Sequence, residues 1–222
     1  MLIDIALTIG TMGIIGYEVL RVGVSKLLLF QPKSPYILKS GNNYFDMRLT
    51  PHIIISGLSG QGKTKFCESL FINRSDIDIV MLNCFPDDFT NVNGIRINNL
   101  KDIKDFLDHI LEEGKRKKVM YIIIDELMSL AIRDKKIIDS IKRLLCVARH
   151  YNIFIVAISQ SCNKEEVGSK NLFNCRVCFR QVEYSQYNVC LGYSPEDKEL
   201  KQREYYYLNS KGVGKSKAPI IR

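Results

Sequence analysis

The sequence predicts an α/β fold of three layers, with helices on both faces of a mostly parallel sheet. Three observations predict it. Apolar runs of strand length recur at 51–56, 78–84, 119–126, 152–159 and 174–180. The first four lack polar alternation, as strands buried on both faces do, and the last carries Asn174, Arg176 and Arg180 among its apolar residues. Between them lie segments with helical spacing of apolar residues, at 65–72, 99–114 and 135–150. A glycine-rich turn joins the first run to the first helix, and strands alternating with helices imply parallel pairing.

That turn is Gly57-Leu58-Ser59-Gly60-Gln61-Gly62-Lys63-Thr64. It matches the phosphate-binding loop pattern at every fixed position, and it stands between a strand and a helix as the motif requires. Its glycines reach backbone angles closed to other residues. Consecutive N–H groups can then turn inward around phosphate oxygens at a positive helix end. Lys63 adds a point charge for the β- and γ-phosphates, and Thr64 offers a hydroxyl to Mg²⁺.

The second strand, 78–84, ends at Pro86-Asp87-Asp88, whose aspartates either touch substrate or, as the turn residues favour, form a solvated turn. The helix at 99–114 carries Leu100, Ile103, Phe106, Leu107, Ile110 and Leu111 on one side and ends at Gly114. Lys115-Arg116-Lys117-Lys118 follows, either a phosphate contact or a solvated loop.

The run from Val119 to Ile124 ends in Asp125-Glu126. This strand is expected to bring Asp125 beside the loop, where it can hold Mg²⁺. Glu126 is then placed to polarise an attacking water. The pair, together with the loop, implies nucleotide hydrolysis and not transfer to a small acceptor. The helix at 135–150 leads into the strand 152–159, and Gln160 at its tip is expected to sense the γ-phosphate or orient water.

A further strand, 174–180, holds Cys175 and Cys178. Residues i and i+3 of a strand point to opposite faces, so this spacing does not make a zinc site. After a helix over 184–190, strands at 205–208 and 218–222 are expected as a terminal hairpin. The intervening Gly212-Val213-Gly214-Lys215-Ser216 imitates a phosphate loop but lacks its first glycine, and reads as a basic hairpin loop. His52, His109 and His150 have no ligand-like spacing.

Residues 1–20 are mostly apolar, about the length of a bilayer span. Arg21, Lys26 and Lys33 follow them, which would place the downstream side in the cytoplasm. The expected organisation is a membrane-anchoring helix over 1–21, a linker over 22–43 and a catalytic domain over 44–222, held as a single-pass protein on the cytoplasmic face of the cell membrane.

The chain has 222 residues and a net charge of +8, which suits an anionic partner such as nucleic acid. Its seven cysteines are scattered and odd in number, which argues for reduced thiols and against a disulfide framework.

From His52 to the C-terminus the chain resembles the motor domain of the FtsK/HerA superfamily of hexameric DNA-pumping ATPases. The motifs that carry the resemblance are 51–57 running into Gly62-Lys63-Thr64, then Ile123-Ile124-Asp125-Glu126, the stretch 148–160 ending in Ser159-Gln160, and the strand 174–180. The resemblance implies a RecA/FtsK-like core, ATP and Mg²⁺ as cofactors, a homo-hexamer and sequence-independent binding of DNA. It implies that Gln160 is the sensor and that an arginine acts in trans on a neighbour's nucleotide. Arg176 matches that arginine best, with Arg149 and Arg180 as rivals. The implied function is an ATP-driven DNA pump at the membrane. Its rivals are an ATPase that drives virion extrusion or assembly without pumping DNA, and an ATP-switched assembly factor.

Overall fold

The computed structural model describes residues 31–162, 170–196 and 199–221. The chain opens on a small antiparallel hairpin, β1 (Ile37–Ser40) and β2 (Asn43–Asp46). The core then follows as β3 (Ile53–Ser56), α1 (Lys63–Phe71), β4 (Asp78–Leu82), β5 (Ile95–Ile97) and α2 (Leu100–Glu113). Next come β6 (Met120–Ile124), α3 (Leu127–Arg133), α4 (Lys135–Val147) and β7 (Ile153–Ser159). The last elements are β8 (Cys175–Phe179), α5 (Tyr184–Leu191), β9 (Glu204–Asn209) and β10 (Gly212–Lys217).

Eight of these strands form one sheet in the order β10-β9-β8-β3-β7-β6-β4-β5. From β8 to β5 every pairing is parallel, and only β9 is reversed, pairing antiparallel with both β8 and β10. The expected mostly parallel sheet is therefore the observed one. Parallel strands end on one edge, so Ser56, Ser159 and Cys178 stand side by side there in register.

The two faces divide the apolar residues by strand alternation. Ile53, Ile55, Tyr121, Ile123, Phe154 and Val156 pack with Phe66, Leu70 and Phe71 of α1 and with Leu38 and Phe45 of the hairpin. Ile54, Ile122, Ile124, Ile155 and Ala157 pack on the other face with Ile103 and Leu107 of α2, Leu130 of α3, and Ile141 and Leu144 of α4. Cys175 and Cys178 fall in opposite layers, as a strand requires. Burying each large apolar side chain contributes about 1.5–3 kcal/mol, and this double-sided core fixes the sheet edge on which the site is built.

Several expectations are corrected. The stretch 212–216 is not a hairpin loop: it is most of edge strand β10, and the hairpin turns at Ser210-Lys211. Its glycine content hid a strand whose side chains need no burial, since it pairs on one side only. Residues 37–40, expected in a linker, form β1, whose Leu38 is fully buried. β5 and α3 were not expected: β5 is an exposed edge strand of three residues, and α3 turns directly out of the acid pair. The sheet order, on which no expectation was made for β3 and β6, sets β7 between the loop strand β3 and the acid-pair strand β6. β7 is buried at all seven positions and takes the central place.

The expected single-pass membrane anchor, with its place at the cytoplasmic face, is also corrected. Among the described residues no helix is long and apolar enough to cross a membrane. The apolar segment 1–20 on which that expectation rested lies outside the described residues.

Candidate active site

The loop between β3 and α1 is held from several sides. Leu58 N donates to Arg180 O at 2.9 Å, which ties the loop to the end of β8. Arg203 N donates to Gln61 O at 3.2 Å, which ties it to the entrance of β9. Gly57, at φ +145°, has no room for a side chain: a Cβ there would lie 2.6 Å from Cβ of Phe179. Gly62, at φ +100°, is the N-cap of α1. The sequence therefore needs glycine at both positions, one for close approach and one for a left-handed turn.

Lys63 is buried, and its ammonium folds back on the loop. Nζ donates to the carbonyls of Gly57 at 2.6 Å and Leu58 at 3.0 Å. Burial lowers its proton affinity, and the carboxylates of Glu126 and Asp125 oppose that shift. Thr64 follows in the first turn of α1, half-buried.

The acid pair sits at the same edge. Asp125 is 6% exposed, and its backbone N–H donates to Leu82 O at 3.0 Å, which continues the β4–β6 ladder. Burial pushes its carboxyl up to about 6, helped by the nearby Asp88 and Glu126 carboxylates and opposed by Lys63. Glu126 takes a left-handed backbone, φ 53°, as the N-cap of α3. This sharp exit turns its carboxylate away from the strand direction and toward β7, where Gln160 Nε2 donates to Glu126 Oε2 at 3.3 Å. The structure thus brings Lys63, Asp125, Glu126 and Gln160 to one edge.

Arg176 is placed differently. It stands opposite Ile54 in the β8 register, two residues short of the edge residue Cys178. Its guanidinium donates through Nε to Phe173 O at 3.3 Å and through Nη1 to Cys190 O at 3.4 Å. Arg149 precedes β7 and therefore lies at the opposite edge of the sheet. Arg180, exposed and just past β8, stands at the loop edge, and its side chain makes no hydrogen bond or ion pair among the described residues. The basic cluster at 115–118 is half neutralised: Arg116 pairs with Glu113 and Asp78, and Lys118 with Asp78 at 2.8 Å.

Sequence reasoning missed four residues here. Asp88 is half-buried, and its charge raises the proton affinity of the Asp125 carboxyl. Glu68 of α1 is buried and accepts from Asn91 N at 2.9 Å and from Asn91 Nδ2 at 2.8 Å, which anchors the loop that carries Asp88. Gln181 is buried behind the phosphate-type loop and donates to Ser56 Oγ at 3.0 Å. Asn83, at the end of β4, donates to Asp125 O. A polar residue one or two positions past a strand is the one signal the sequence held for Asn83 and Gln181.

The residues fit a nucleotide with a divalent cation. The loop leaves no room for a side chain at Gly57, where the backbone passes Phe179, and the buried Lys63 ammonium lies on it. The charges of Asp88 and Glu126 raise the proton affinity of the buried Asp125 carboxyl, and carboxylate oxygens suit a hard cation. Among the described residues no group of three or more His, Cys, Asp or Glu has the arrangement of a metal cage built by protein alone.

No family model matches the chain, and no curated protein is significantly similar in sequence. Solved structures do match in fold. The pCW3 conjugation coupling protein TcpA, in its monomer form with ATPγS, is 16% identical with a TM-score of 0.65, over 88% of this chain and 71% of that one. The cytoplasmic domain of the type VII secretion ATPase EccC from Thermomonospora curvata is 16% identical with a TM-score of 0.69, over 87% of this chain. This chain spans only 30% of that protein's length. The genome packaging NTPase B204 of Sulfolobus turreted icosahedral virus 2, in complex with ATPγS, is 13% identical with a TM-score of 0.55, over 77% of this chain and 98% of that one. The described chain has the fold of FtsK/HerA-type ATPases, the fold its motifs led us to expect.

Proposed function

We propose that this protein hydrolyses ATP and uses the energy to move DNA. The observation that carries the hydrolytic half is the meeting of Lys63, Asp125, Glu126 and Gln160 at one sheet edge, with the glycine loop between β3 and α1. Backbone N–H groups of 57–64 and the Lys63 ammonium bind the phosphates, once Lys63 exchanges its loop carbonyls for phosphate oxygens. The Thr64 hydroxyl and the Asp125 carboxylate would hold Mg²⁺, which would supply positive charge to the phosphates. Gln160 holds Oε2 of Glu126, which leaves Oε1 to take the proton of a water oriented between the two side chains.

The transport half rests on charge and on fold. A net charge of +8 suits a polyanion. Two proteins of the same fold are a conjugation coupling protein and a genome packaging NTPase. The reading includes a ring of identical subunits, a homo-hexamer, in which an arginine from one subunit reaches the nucleotide of the next. Arg176 remains a candidate for that role only if it leaves the carbonyls of Phe173 and Cys190. Arg180 needs no such release.

The test is ATP hydrolysis by the full chain, with and without DNA, at low and moderate salt, against Glu126→Gln as the blank. Hydrolysis that DNA stimulates, and that salt weakens, is the expected result. Hydrolysis indifferent to DNA would instead favour a protein cargo or an assembly role.

A further inference from the structure

We propose that Asn83 is a positioning residue for the acid pair: its side chain clamps the Asp125–Glu126 peptide in the geometry that aims Glu126 at Gln160. The inference rests on the hydrolytic reading above.

The argument begins with backbone. Glu126 leaves β6 at φ 53°, a left-handed conformation in which side chains with a Cβ are strained. The strain persists only where surroundings over-determine it. The Asp125 carbonyl is one half of the peptide that precedes this turn. Asn83 Nδ2 donates to that carbonyl at 2.9 Å. The bond carries the β4–β6 ladder one step past the last backbone pair, Leu82 with Ile124, and past Asp125 N to Leu82 O. Without it the carbonyl has no donor from β4, and the peptide is free to rotate.

Asn83 is itself built for this. It too is left-handed, φ 58°, a conformation that asparagine tolerates better than other residues with a Cβ. Its N–H donates to Ile97 O at 3.1 Å, and the next residue, Cys84, donates to Asn98 Oδ1 at 2.9 Å. These bonds stitch the exit of β4 to the exit of β5. On its far side, Asn83 Oδ1 accepts from Arg133 Nη1 at 3.3 Å. Arg133 lies in the last turn of α3, the helix that Glu126 caps. The amide thus links the peptide that precedes the N-cap of α3 to the helix's last turn, and Arg133 fixes which end of the amide faces Asp125. A cavity of about 340 Å³, lined by Asn83, Phe85, Glu126, Ser129 and Arg133 among others, opens beside the clamp. Glu126 has space to swing into it when the peptide is released.

Asn83→Asp separates the roles. It keeps the shape, the tolerance for a left-handed backbone and the bond from Arg133, but it cannot donate to the Asp125 carbonyl. The full chain is compared with Asn83→Asp, Asn83→Gly and Glu126→Gln for turnover, binding of a fluorescent ATP analogue, and backbone amide exchange over 125–128. Misplacing a catalytic group by about 1 Å costs on the order of 100-fold in rate, so turnover by Asn83→Asp is expected to fall between about tenfold and 100-fold. Nucleotide affinity should stay within about twofold, the pattern of a loss confined to the transition state. Amide exchange over 125–128 should quicken in both Asn83 variants, with the rest of the sheet still protected. Turnover equal to wild type, unchanged exchange, or a loss carried by weaker nucleotide binding would each overturn the assignment. Wild-type turnover no higher than that of Glu126→Gln would overturn the hydrolytic reading, and this one with it. An active wild type with an equally active Asn83→Asp overturns only the role of Asn83.

Discussion

Gln160 at the tip of β7 and Glu126 at the head of α3 meet across 3.3 Å, amide to carboxylate, from neighbouring strands. The pair is built from two different local devices. Gln160 simply continues a strand. Glu126 reaches it by a left-handed turn that breaks away from one. If the amide orients the carboxylate, Gln160→Ala should lower kcat by about tenfold to 100-fold with little change in KM, since such positioning is realised only in the transition state. Steady-state kinetics on the two proteins decides it.

The loop geometry makes a separate demand at Gly57. A methyl group there would push on Cβ of Phe179, part of a core strand and not a flexible tip. Gly57→Ala should therefore cost about 1–3 kcal/mol by overpacking, and it should also weaken nucleotide binding. Gly60→Ala meets nothing within 4 Å and carries only the penalty of its positive φ, about 1–2 kcal/mol. Denaturant unfolding of both variants, with binding of an ATP analogue, gives the ranking.

At the opposite edge of the sheet His52 supplies a pH dependence. It is 2% exposed, and its Nδ1 accepts from Ile155 N at 3.0 Å. Burial pushes its pKa down to about 4 from the usual 6.5, partly offset by a hydrogen bond to the Leu145 backbone and reinforced by Arg149. The unfolded chain therefore takes up this proton at a higher pH than the folded one. The contribution of His52 is complete above pH 6.5 and is lost as pH falls from 6.5 toward 4. A shift of this size corresponds to about 3 kcal/mol. His52→Asn, which tolerates φ 65°, should flatten that limb of the stability curve, as measured by urea unfolding at pH 7.5, 6 and 5.

The arginines divide by what holds them. Arg176→Ala should cost about 1.5–3 kcal/mol, because the charged bonds to Phe173 O and Cys190 O are lost. Arg180→Ala should leave the melting temperature unchanged. If Arg180 acts on a neighbour's nucleotide, its removal lowers turnover by about three powers of ten, and mixing it with Lys63→Ala subunits restores part of that loss. Melting curves and a mixing titration separate the two residues.

Much of the site was legible in the sequence, for a physical reason. The loop and the acid pair are local: a few adjacent residues dictate a backbone shape or a strand end. The buried strands were equally legible, because burial on both faces leaves unbroken apolar runs such as Tyr121–Ile124 and Ile153–Ile158. What was not legible depends on distant partners. Asn83 acquires its role only when β4 and β6 pair, and Asp88 only when Glu68 and Asn91 draw its loop inward. α3 was hidden because Glu126 is a poor-looking N-cap, held left-handed by its surroundings. β10 was hidden because a one-sided edge strand tolerates the glycines and lysines that otherwise mark a loop.

The central claim, that hydrolysis at this edge moves DNA, is tested most directly by displacement. A third strand is paired as a triplex near one end of a duplex, and the full chain is added with ATP and Mg²⁺. The account predicts ATP-dependent release of the third strand, absent with Glu126→Gln and weakened by added salt. ATP hydrolysis at full rate with the triplex left intact, on single-stranded and duplex tracks alike, would contradict it.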